Sequence, residues 1–238
     1  MEPEQHDPRS PTGAPDLLAE DLATFALDLA QVRTAAEMLA TTATAVVGLV
    51  PGASDAAASV LRRREVELGA ATGRAAKHCE AWQLALGSGP AADASTAPGS
   101  AVLTDDLTTD PRWVPVHAVA AHEGLPSVLS VAAALHASSR TLVLSWYAGE
   151  TRAFAAADCT RVALLVAAHA SLALDRALHA DHLRTAMVSR QEIGQAVGLL
   201  AASRSVGLAD AFVLLRAESQ RRNQRLGDLA RRIVEAHG

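Results

Sequence analysis

Hydrophobic residues recur at helical spacing near the C-terminal end of the chain. Ile193, Val197 and Leu200 lie at i, i+4 and i+7, so they form one apolar stripe on a helix. Two further stripes begin at Leu208 and at Leu226, and the first of them would place Phe212 in a core. The pattern predicts three short amphipathic helices that pack together.

The spacing before residue 180 is different and predicts an α+β domain. Runs with alternating or β-branched residues are separated by helical segments and by a Gly- and Pro-rich loop. This order favours an antiparallel sheet flanked by helices. In chain order, we expect a helix at 16–42, strands at 43–50 and 64–71, a helix at 75–86, a loop at 87–100, strands at 102–103, 127–137 and 140–148, and a long helix from about residue 155.

A polar row lies on the predicted second helix of the C-terminal group, away from its apolar stripe. Arg216, Gln220 and Asn223 lie at i, i+4 and i+7, with further arginines beside them. Together with IGQAVGLL and ADAFVLLRAESQRRNQRLGDLARRIV, this segment resembles the ANTAR domain, the three-helix RNA-binding module of bacterial transcription antitermination regulators. The matching positions are Ile193, Gly194, Gln195, Ala196, Gly198, Ala211, Phe212, Leu215, Arg216, Ser219, Asn223, Leu226 and Ala230.

The resemblance implies a homodimer that binds paired RNA stem-loops and so disfavours a terminator. Arginine planes and amide or hydroxyl groups would recognise splayed loop bases. Asn223 fits a second role equally well, as a helix C-cap. The chain departs from the family at Val197, where many members carry a basic residue, and at Ala201, where many carry Met. The predicted RNA-binding residues are Arg190, Gln195, Arg216, Ser219, Gln220, Asn223 and Arg225.

Three phrases in the α+β region resemble a GAF domain of the type that precedes ANTAR modules in actinobacterial regulators. They are LGSGPAADA, VLTDDLTTDPRWVPVHAVAAHEGLPSVLSVAA and LVLSWYAGETRAFAAAD. Such domains hold a small molecule between the sheet and its covering loops, so the resemblance implies a sensor whose ligand stays unidentified. The candidate pocket residues are Trp113, His117, His122 and Ser130, with Trp113 more often a packing anchor in such a segment.

Charge divides unevenly along the chain. Residues 180–238 hold nine Arg and six acidic residues, a net +3, and the remainder holds twelve basic and twenty acidic residues, a net −8. The basic end is therefore the natural partner of a nucleic acid. The same charge is also compatible with an ordinary solvated helix face.

Catalytic and membrane functions find little support in the sequence. One predicted loop contains three aspartates, Asp105, Asp106 and Asp110. They could form a cation site, or they could serve as ordinary turn residues and helix caps. No phosphate-cradling glycine loop or nucleophile motif is present. The N-terminus lacks the pattern of a secretory signal, and no uninterrupted apolar run is long enough to span a membrane. Cys79 and Cys159 fit buried thiols better than a redox pair. We therefore expect a cytoplasmic protein that is not an enzyme and has no cofactor or metal.

Positions spaced seven residues apart form one stripe along the predicted long helix. The stripe consists of Leu165, Leu172, His179, Ala186, Ile193 and Leu200. A second set, also spaced by seven, interleaves with it and consists of His169, Arg176, Leu183, Arg190 and Val197. A parallel coiled coil would place the stripe at a dimer seam, and a helix packed on its own domain is the alternative.

The predicted organisation is a disordered tail at 1–15, a GAF-like sensor at 16–175, and a long connecting helix with an ANTAR domain at 176–238. The predicted function is RNA-binding transcription antitermination under the control of a sensed signal. The alternative is a ligand-sensing interaction protein whose bundle serves for dimerisation or docking.

Overall fold

The computed structural model of the protein describes residues 14–136 and 139–236. The predicted tail lies outside the described residues, apart from Ala14 and Pro15, which open the first helix. A proline is compatible with this position because the first turn of a helix does not need its N–H group. The described residues form two compact units, which divide between Leu178 and His179.

The first unit is an α+β domain built on one antiparallel sheet. Its strands are β1 (Asp55–Arg62), β2 (Glu65–Ala71), β3 (Ala101–Thr104), β4 (Ser127–Leu135) and β5 (Arg140–Ala148). The strands lie in the order β2-β1-β5-β4-β3, and every neighbouring pair is antiparallel. The helices are α1 (Ala14–Gln31), α2 (Ala35–Leu49), α3 (Arg74–Leu86), α4 (Pro90–Thr96), a 3-10 helix (Pro111–Val116), α5 (His117–Glu123) and α6 (Ala157–Arg204).

Two layers of helices bury the two faces of this sheet. On one face, α1, α2 and the first part of α6 pack on inward residues of β1, β4 and β5. The indole N–H of Trp146 on β5 donates to the Val46 carbonyl in α2 at 2.9 Å, which ties that layer to the sheet. On the other face, α3, α4, α5 and the 3-10 helix form two smaller clusters, one around Trp113 and Tyr147 and one around Leu61 and Val143.

Several of the predicted boundaries were wrong in this unit. The predicted helix at 16–42 is two helices, because Thr34 caps a new helix by accepting a hydrogen bond from the Glu37 N–H at 3.2 Å. The predicted strand at 43–50 is the second half of α2, where Ala43, Val46 and Leu49 continue the buried helical face. The strand that pairs with β2 is instead Asp55–Arg62. The predicted loop at 87–100 contains α4, which Pro90 opens at a position where proline is favoured.

The second unit is a three-helix bundle. It consists of the last part of α6 together with α7 (Leu208–Arg221) and α8 (Leu226–Glu235). The core contains Ala196 and Val197 from α6, Ala211 and Leu215 from α7, and Leu229 and Ala230 from α8. The predicted three stripes therefore meet in one core, but Phe212 was wrongly assigned to it, since its side chain is 40% exposed.

Helix α6 runs through 48 residues. By length and composition alone it is long and apolar enough to cross a membrane, and 39% of its most apolar window is buried within the protein. Core helices pass the same test, and in the first unit Val162, Val166, Ala170 and Leu174 of α6 are buried against the sheet. The burial of these residues accounts for the apolar composition of that part of the helix.

Candidate functional site

A buried polar network lies on the α3 face of the sheet. The Glu80 carboxyl accepts hydrogen bonds from the Ser59 hydroxyl at 3.1 Å and from the Tyr147 hydroxyl at 2.7 Å. The Gln83 amide donates to the Tyr147 oxygen at 3.1 Å, and its carbonyl oxygen accepts from the backbone N–H of Ala91 at 2.9 Å. The network thus joins β1, β5, α3 and α4, and all four of its side chains are buried.

Burial decides the protonation of this network. Desolvation raises the pKa of Glu80 above its ordinary value of 4.5, against the opposing effect of hydrogen bonds from Tyr147, Ser145 and Ser59. Desolvation and the neighbouring Glu80 likewise raise the pKa of Tyr147 well above 10. The site therefore favours a neutral carboxylic acid beside a neutral phenol, because an isolated charge is costly in an apolar interior.

A cleft of about 770 Å³ opens beside this network, along the exposed edge of the sheet. Ser59 and Glu80 line it from β1 and α3, and Lys77, Arg64 and Glu65 bring charged groups to it. Most of the other lining side chains are small, which leaves the space empty. They include Ala57, Gly69, Ala71, Ala81 and Ala85.

Gly69 of β2 shows how the cleft is kept open. A Cβ atom added there would lie 3.8 Å from Val66 Cγ1 and 3.9 Å from Ser59 Oγ, both ordinary contact distances. A larger side chain would therefore fit at this position and would occupy part of the cleft. The volume lies within the ~300–1,000 Å³ range of small-molecule sites.

The four residues predicted from the sequence to line a pocket do not lie in this cleft. Trp113 is buried, and its indole N–H donates to the Asp93 carboxylate at 2.8 Å. The Arg112 guanidinium stacks 4.0 Å above the Trp113 ring centroid. These contacts hold the Trp113 ring at its edge and on one face, which matches the role of a packing anchor.

The other three predicted pocket residues are dispersed. His117 Nε2 lies 2.7 Å from the Asp110 carbonyl oxygen, as expected for an N–H donor. His122 is exposed in the last turn of α5. Ser130 is buried on β4, where its hydroxyl shares a 2.8 Å hydrogen bond with Ser145 of β5. The structure does not bring these side chains to one cavity.

The acidic loop forms local turns and caps. Asp106 accepts hydrogen bonds from the backbone N–H and the hydroxyl of Thr108, and these bonds lower the pKa of Asp106. Asp110 caps the 3-10 helix through the Arg112 N–H and pairs with the Arg112 guanidinium, which holds the pKa of Asp110 far below 3.8. Among the residues that the structure describes, no group of three or more metal-ligating side chains is found.

The two thiols are placed on opposite faces of the sheet. Cys79 belongs to the cluster on the α3 face, and Cys159 belongs to the cluster under α6. Burial raises the pKa of Cys79 to about 12 and raises that of Cys159 above 9.0. Both groups are therefore held as thiols, whereas nucleophilic and redox chemistry needs the thiolate.

On the bundle, most of the predicted RNA-binding residues lie at the surface. Arg216 and Gln220 are one helical turn apart on α7, and the exposed Phe212 precedes Arg216 by another turn. The sequence did not identify Phe212 as a surface residue. A position within an apolar stripe does not tell whether the residue lies in the core or at the exposed margin of the stripe. The other exposed predicted residues are Arg190, Gln195, Asn223 and Arg225.

Ser219 and Asn223 take part in the turn that ends α7. Ser219 is buried, and its hydroxyl donates to the Gln224 carbonyl at 2.6 Å. Asn223 has a φ of 50°, in the left-handed region, and the Gln224 N–H returns to the Ser219 carbonyl at 3.0 Å. This geometry matches a helix C-cap, in which Asn is among the few non-Gly residues that are tolerated.

The seven-residue stripe of α6 is divided between two environments. Ile193, Val197 and Leu200 pack into the core of the bundle, so they are already used within one chain. In the first unit Leu165 and Leu172 are exposed, and in the second unit so is Leu183. The remaining stripe positions up to residue 190 are also exposed, namely His169, Arg176, His179, Ala186 and Arg190.

Comparison with solved structures relates the first unit to GAF domains. The GAF domain of a phosphoenolpyruvate-protein phosphotransferase from Coxiella burnetii is 10% identical and superposes with a TM-score of 0.52, over 70% of this chain and 98% of that one. The N-acylhomoserine lactone dependent LuxR family transcription factor CepR2 from Burkholderia cenocepacia gives 18% identity and a TM-score of 0.51, over 68% and 99% of the two chains.

An enzyme shares the same fold. Free methionine-R-sulfoxide reductase from Neisseria meningitidis, solved in complex with its substrate, is 17% identical with a TM-score of 0.51, over 74% of this chain and 96% of that one. At these identities the likeness concerns the fold alone. No curated protein matches the chain.

The second unit is matched by a family model. Residues 181–234 match the ANTAR domain, and this range covers the last part of α6 together with α7 and α8 up to Val234. The protein thus combines a GAF-like α+β fold with a C-terminal region that matches the ANTAR domain.

Proposed function

We propose that this protein is an RNA-binding transcription antitermination regulator, in which the GAF-like domain senses a small molecule and the bundle binds paired RNA stem-loops. The match of residues 181–234 to the ANTAR domain carries this proposal. The bundle supports it with an exposed row on α7 formed by Phe212, Arg216 and Gln220. An aromatic ring and a guanidinium plane can stack on unpaired bases, and the amide can bond to base edges.

The arrangement also supports a regulator over an enzyme. Both cysteines are held as buried thiols, and the acidic loop is engaged in local caps. We place the protein in the cytoplasm, where transcripts are made and thiols stay reduced.

We further propose a homodimer joined along α6. The exposed stripe positions of α6 up to residue 190 have the 4-3 spacing of a coiled-coil seam, and Leu165, Leu172 and Leu183 supply its apolar contacts. The seam ends before Ile193, because the stripe then enters the core of the bundle. Two bundles on one RNA with two hairpins would gain effective concentration.

The sensor function is assigned to the cleft between α3 and β2. Its volume suits a small molecule, and Ser59 and Glu80 present a hydroxyl and a carboxyl with a raised pKa at its inner side. Replacing Gly69 with Val should occupy part of the cleft while the fold is retained, because the added Cβ meets only ordinary contacts. A thermal-shift screen of metabolites against wild type and Gly69→Val tests this, and a ligand that stabilises both proteins equally would exclude the cleft.

The RNA function is tested by a salt titration of binding to an RNA with two adjacent hairpins, beside the same RNA with scrambled loops. We expect loop-dependent binding that weakens with salt, and a loss of at least tenfold in Arg216→Ala/Gln220→Ala. Arg161→Ala is a matched control, since Arg161 is an exposed arginine of α6 in the first unit. Equal or absent binding to both RNAs would favour the alternative, an interaction protein whose bundle serves for dimerisation or docking.

A further inference from the structure

A groove within the bundle lies apart from the α7 row described above. It has a volume of about 600 Å³ and is formed by the end of α6, the second half of α7 and α8. Arg204, Arg221, Arg222 and Arg232 line it, with Glu218 among them. None of the residues predicted from the sequence to contact RNA lines this groove.

The groove holds the excess positive charge of the bundle. The second unit contains nine arginines and six acidic residues. Four of these arginines and one of these acids line the groove, so the remaining five arginines and five acids cancel. The net +3 of the bundle thus equals the net charge of the groove lining, and such a cluster of arginines attracts a polyanion.

Ion pairs orient two of the four arginines. Glu218 pairs with both Arg221 and Arg222, and these two guanidinium groups lower the pKa of Glu218. The carboxylate is therefore held ionised and keeps both guanidinium groups beside it. The Arg232 guanidinium donates to the Gln224 side-chain oxygen. Arg204, in the last turn of α6, has no ion pair among the residues that the structure describes.

The lining between these arginines is apolar. Leu215 and Leu229 of the bundle core reach the groove, and Leu214 is 48% exposed at its surface. A phosphate group alone would use the arginines and leave the leucines in water. A nucleotide would use both, because its phosphate pairs with guanidinium forks while its base covers apolar surface and stacks on an arginine plane.

We propose that this groove receives one unpaired nucleotide of an RNA loop, with its phosphate on the arginines and its base on the leucines. The inference rests on the proposed RNA-binding function and gives that function a second contact beside the α7 row. A paired nucleotide does not fit, since its base is stacked inside the helix, whereas a loop nucleotide can be splayed out.

The arginines are tested by measuring RNA affinity in the full-length protein. Arg204→Ala/Arg232→Ala should weaken binding of the two-hairpin RNA at least tenfold and lower the slope of log affinity against log salt by about one to two. Arg184→Ala/Arg231→Ala is the charge-matched control, because both arginines are exposed, form surface ion pairs and lie outside the groove. Equal losses in the two double variants would overturn the proposal, since the effect would then be general charge.

The base contact is tested by a double-mutant cycle. Each loop base is removed in turn to give an abasic RNA, and affinity is measured for wild type and for Leu214→Ala, which keeps the fold because Leu214 is half exposed. At one loop position, the loss caused by the abasic site should shrink at least threefold in Leu214→Ala. Additive effects at every position would overturn the assignment of the base to the groove.

Three further outcomes of these binding measurements distinguish failure of the groove proposal from failure of the proposed RNA-binding function. Loop-dependent binding that is lost in Arg216→Ala/Gln220→Ala but kept in Arg204→Ala/Arg232→Ala would overturn the groove and leave the RNA function standing. Absence of loop-dependent binding in wild type would overturn both. Nucleoside monophosphates are titrated as a free source of the same chemistry, and saturable binding of these in the groove with unchanged RNA affinity would also overturn the RNA assignment.

Discussion

Truncation of Leu172 to Ala should weaken the proposed α6 dimer by one to two orders of magnitude. The Leu172 side chain is 56% exposed in the single chain, and full burial of a leucine contributes about 1.5–3 kcal/mol. Burying the exposed half contributes about 1–1.5 kcal/mol per chain, hence about 2–3 kcal/mol per symmetric dimer. At 1.4 kcal/mol per tenfold, the dimer dissociation constant should rise about 30- to 150-fold.

The measurement is sedimentation equilibrium across a range of protein concentrations, with circular dichroism to check the fold. Leu27→Ala is the matched control, because Leu27 is an exposed leucine on helix α1, away from the stripe. The helix content of both variants should equal that of wild type, since alanine is the best helix former. An unchanged dimer constant in Leu172→Ala, or an equal change in Leu27→Ala, would refute the coiled-coil seam.

Three further predictions concern the buried network and the bundle. Because the pKa of Glu80 is raised in the folded protein, its contribution to the free energy of unfolding should fall as the pH rises above 4.5. Glu80→Gln should therefore flatten the dependence of the melting temperature on pH, as measured by thermal denaturation at several pH values. An unaltered slope would contradict this. Phe212→Ala should cost about 1–3 kcal/mol of RNA binding with little loss of stability, whereas the neighbouring control Val213→Ala, at a residue that is even more exposed, should bind as wild type in fluorescence anisotropy. Asn223→Gly should keep the melting temperature within a few degrees because glycine accepts the positive φ, and a large loss would show that the Asn side chain itself stabilises the turn.

Helical periodicity predicted the bundle better than it predicted the exposure of single residues. The stripes through Val197, Leu215 and Leu229 do meet in one core, because a small bundle offers few ways to bury three apolar faces. Phe212 lies at the margin of its stripe, and only the packing of the neighbouring helices decides that it stays 40% exposed. Local propensity also misassigned residues 43–50, where burial of Ala43 and Val46 on a helical face overrides the β-branched composition.

The buried network of the sensor unit was largely beyond sequence reasoning. Ser59, Glu80 and Tyr147 come from β1, α3 and β5, and no spacing rule brings together residues so far apart in the chain. One local signal was present, since Gln83 follows Ala76 and Cys79 at helical spacing on a buried face of α3. Polar residues on such a face need buried partners, so they mark a network even before its members are known.

The position of the cleft constrains how a ligand could act on α6. The cleft opens at the β2 edge of the sheet and is lined by α3 on one face and by Ala40 and Thr44 of α2 on the other, whereas the first part of α6 packs on the α2 face alone. Strand β1 reaches both, because successive side chains alternate between faces: Ser59 lines the cleft, and Val60 shares a core with Val162 and Val166 of α6. If β1 can take two positions, a ligand that binds one of them more tightly can therefore shift the packing of α6. A ligand that binds both positions of β1 with equal affinity cannot shift it, however tightly that ligand binds. A second route leads through α2, because Ala40 and Thr44 of α2 line the cleft while Ala43 and Val46 of the same helix share a core with α6.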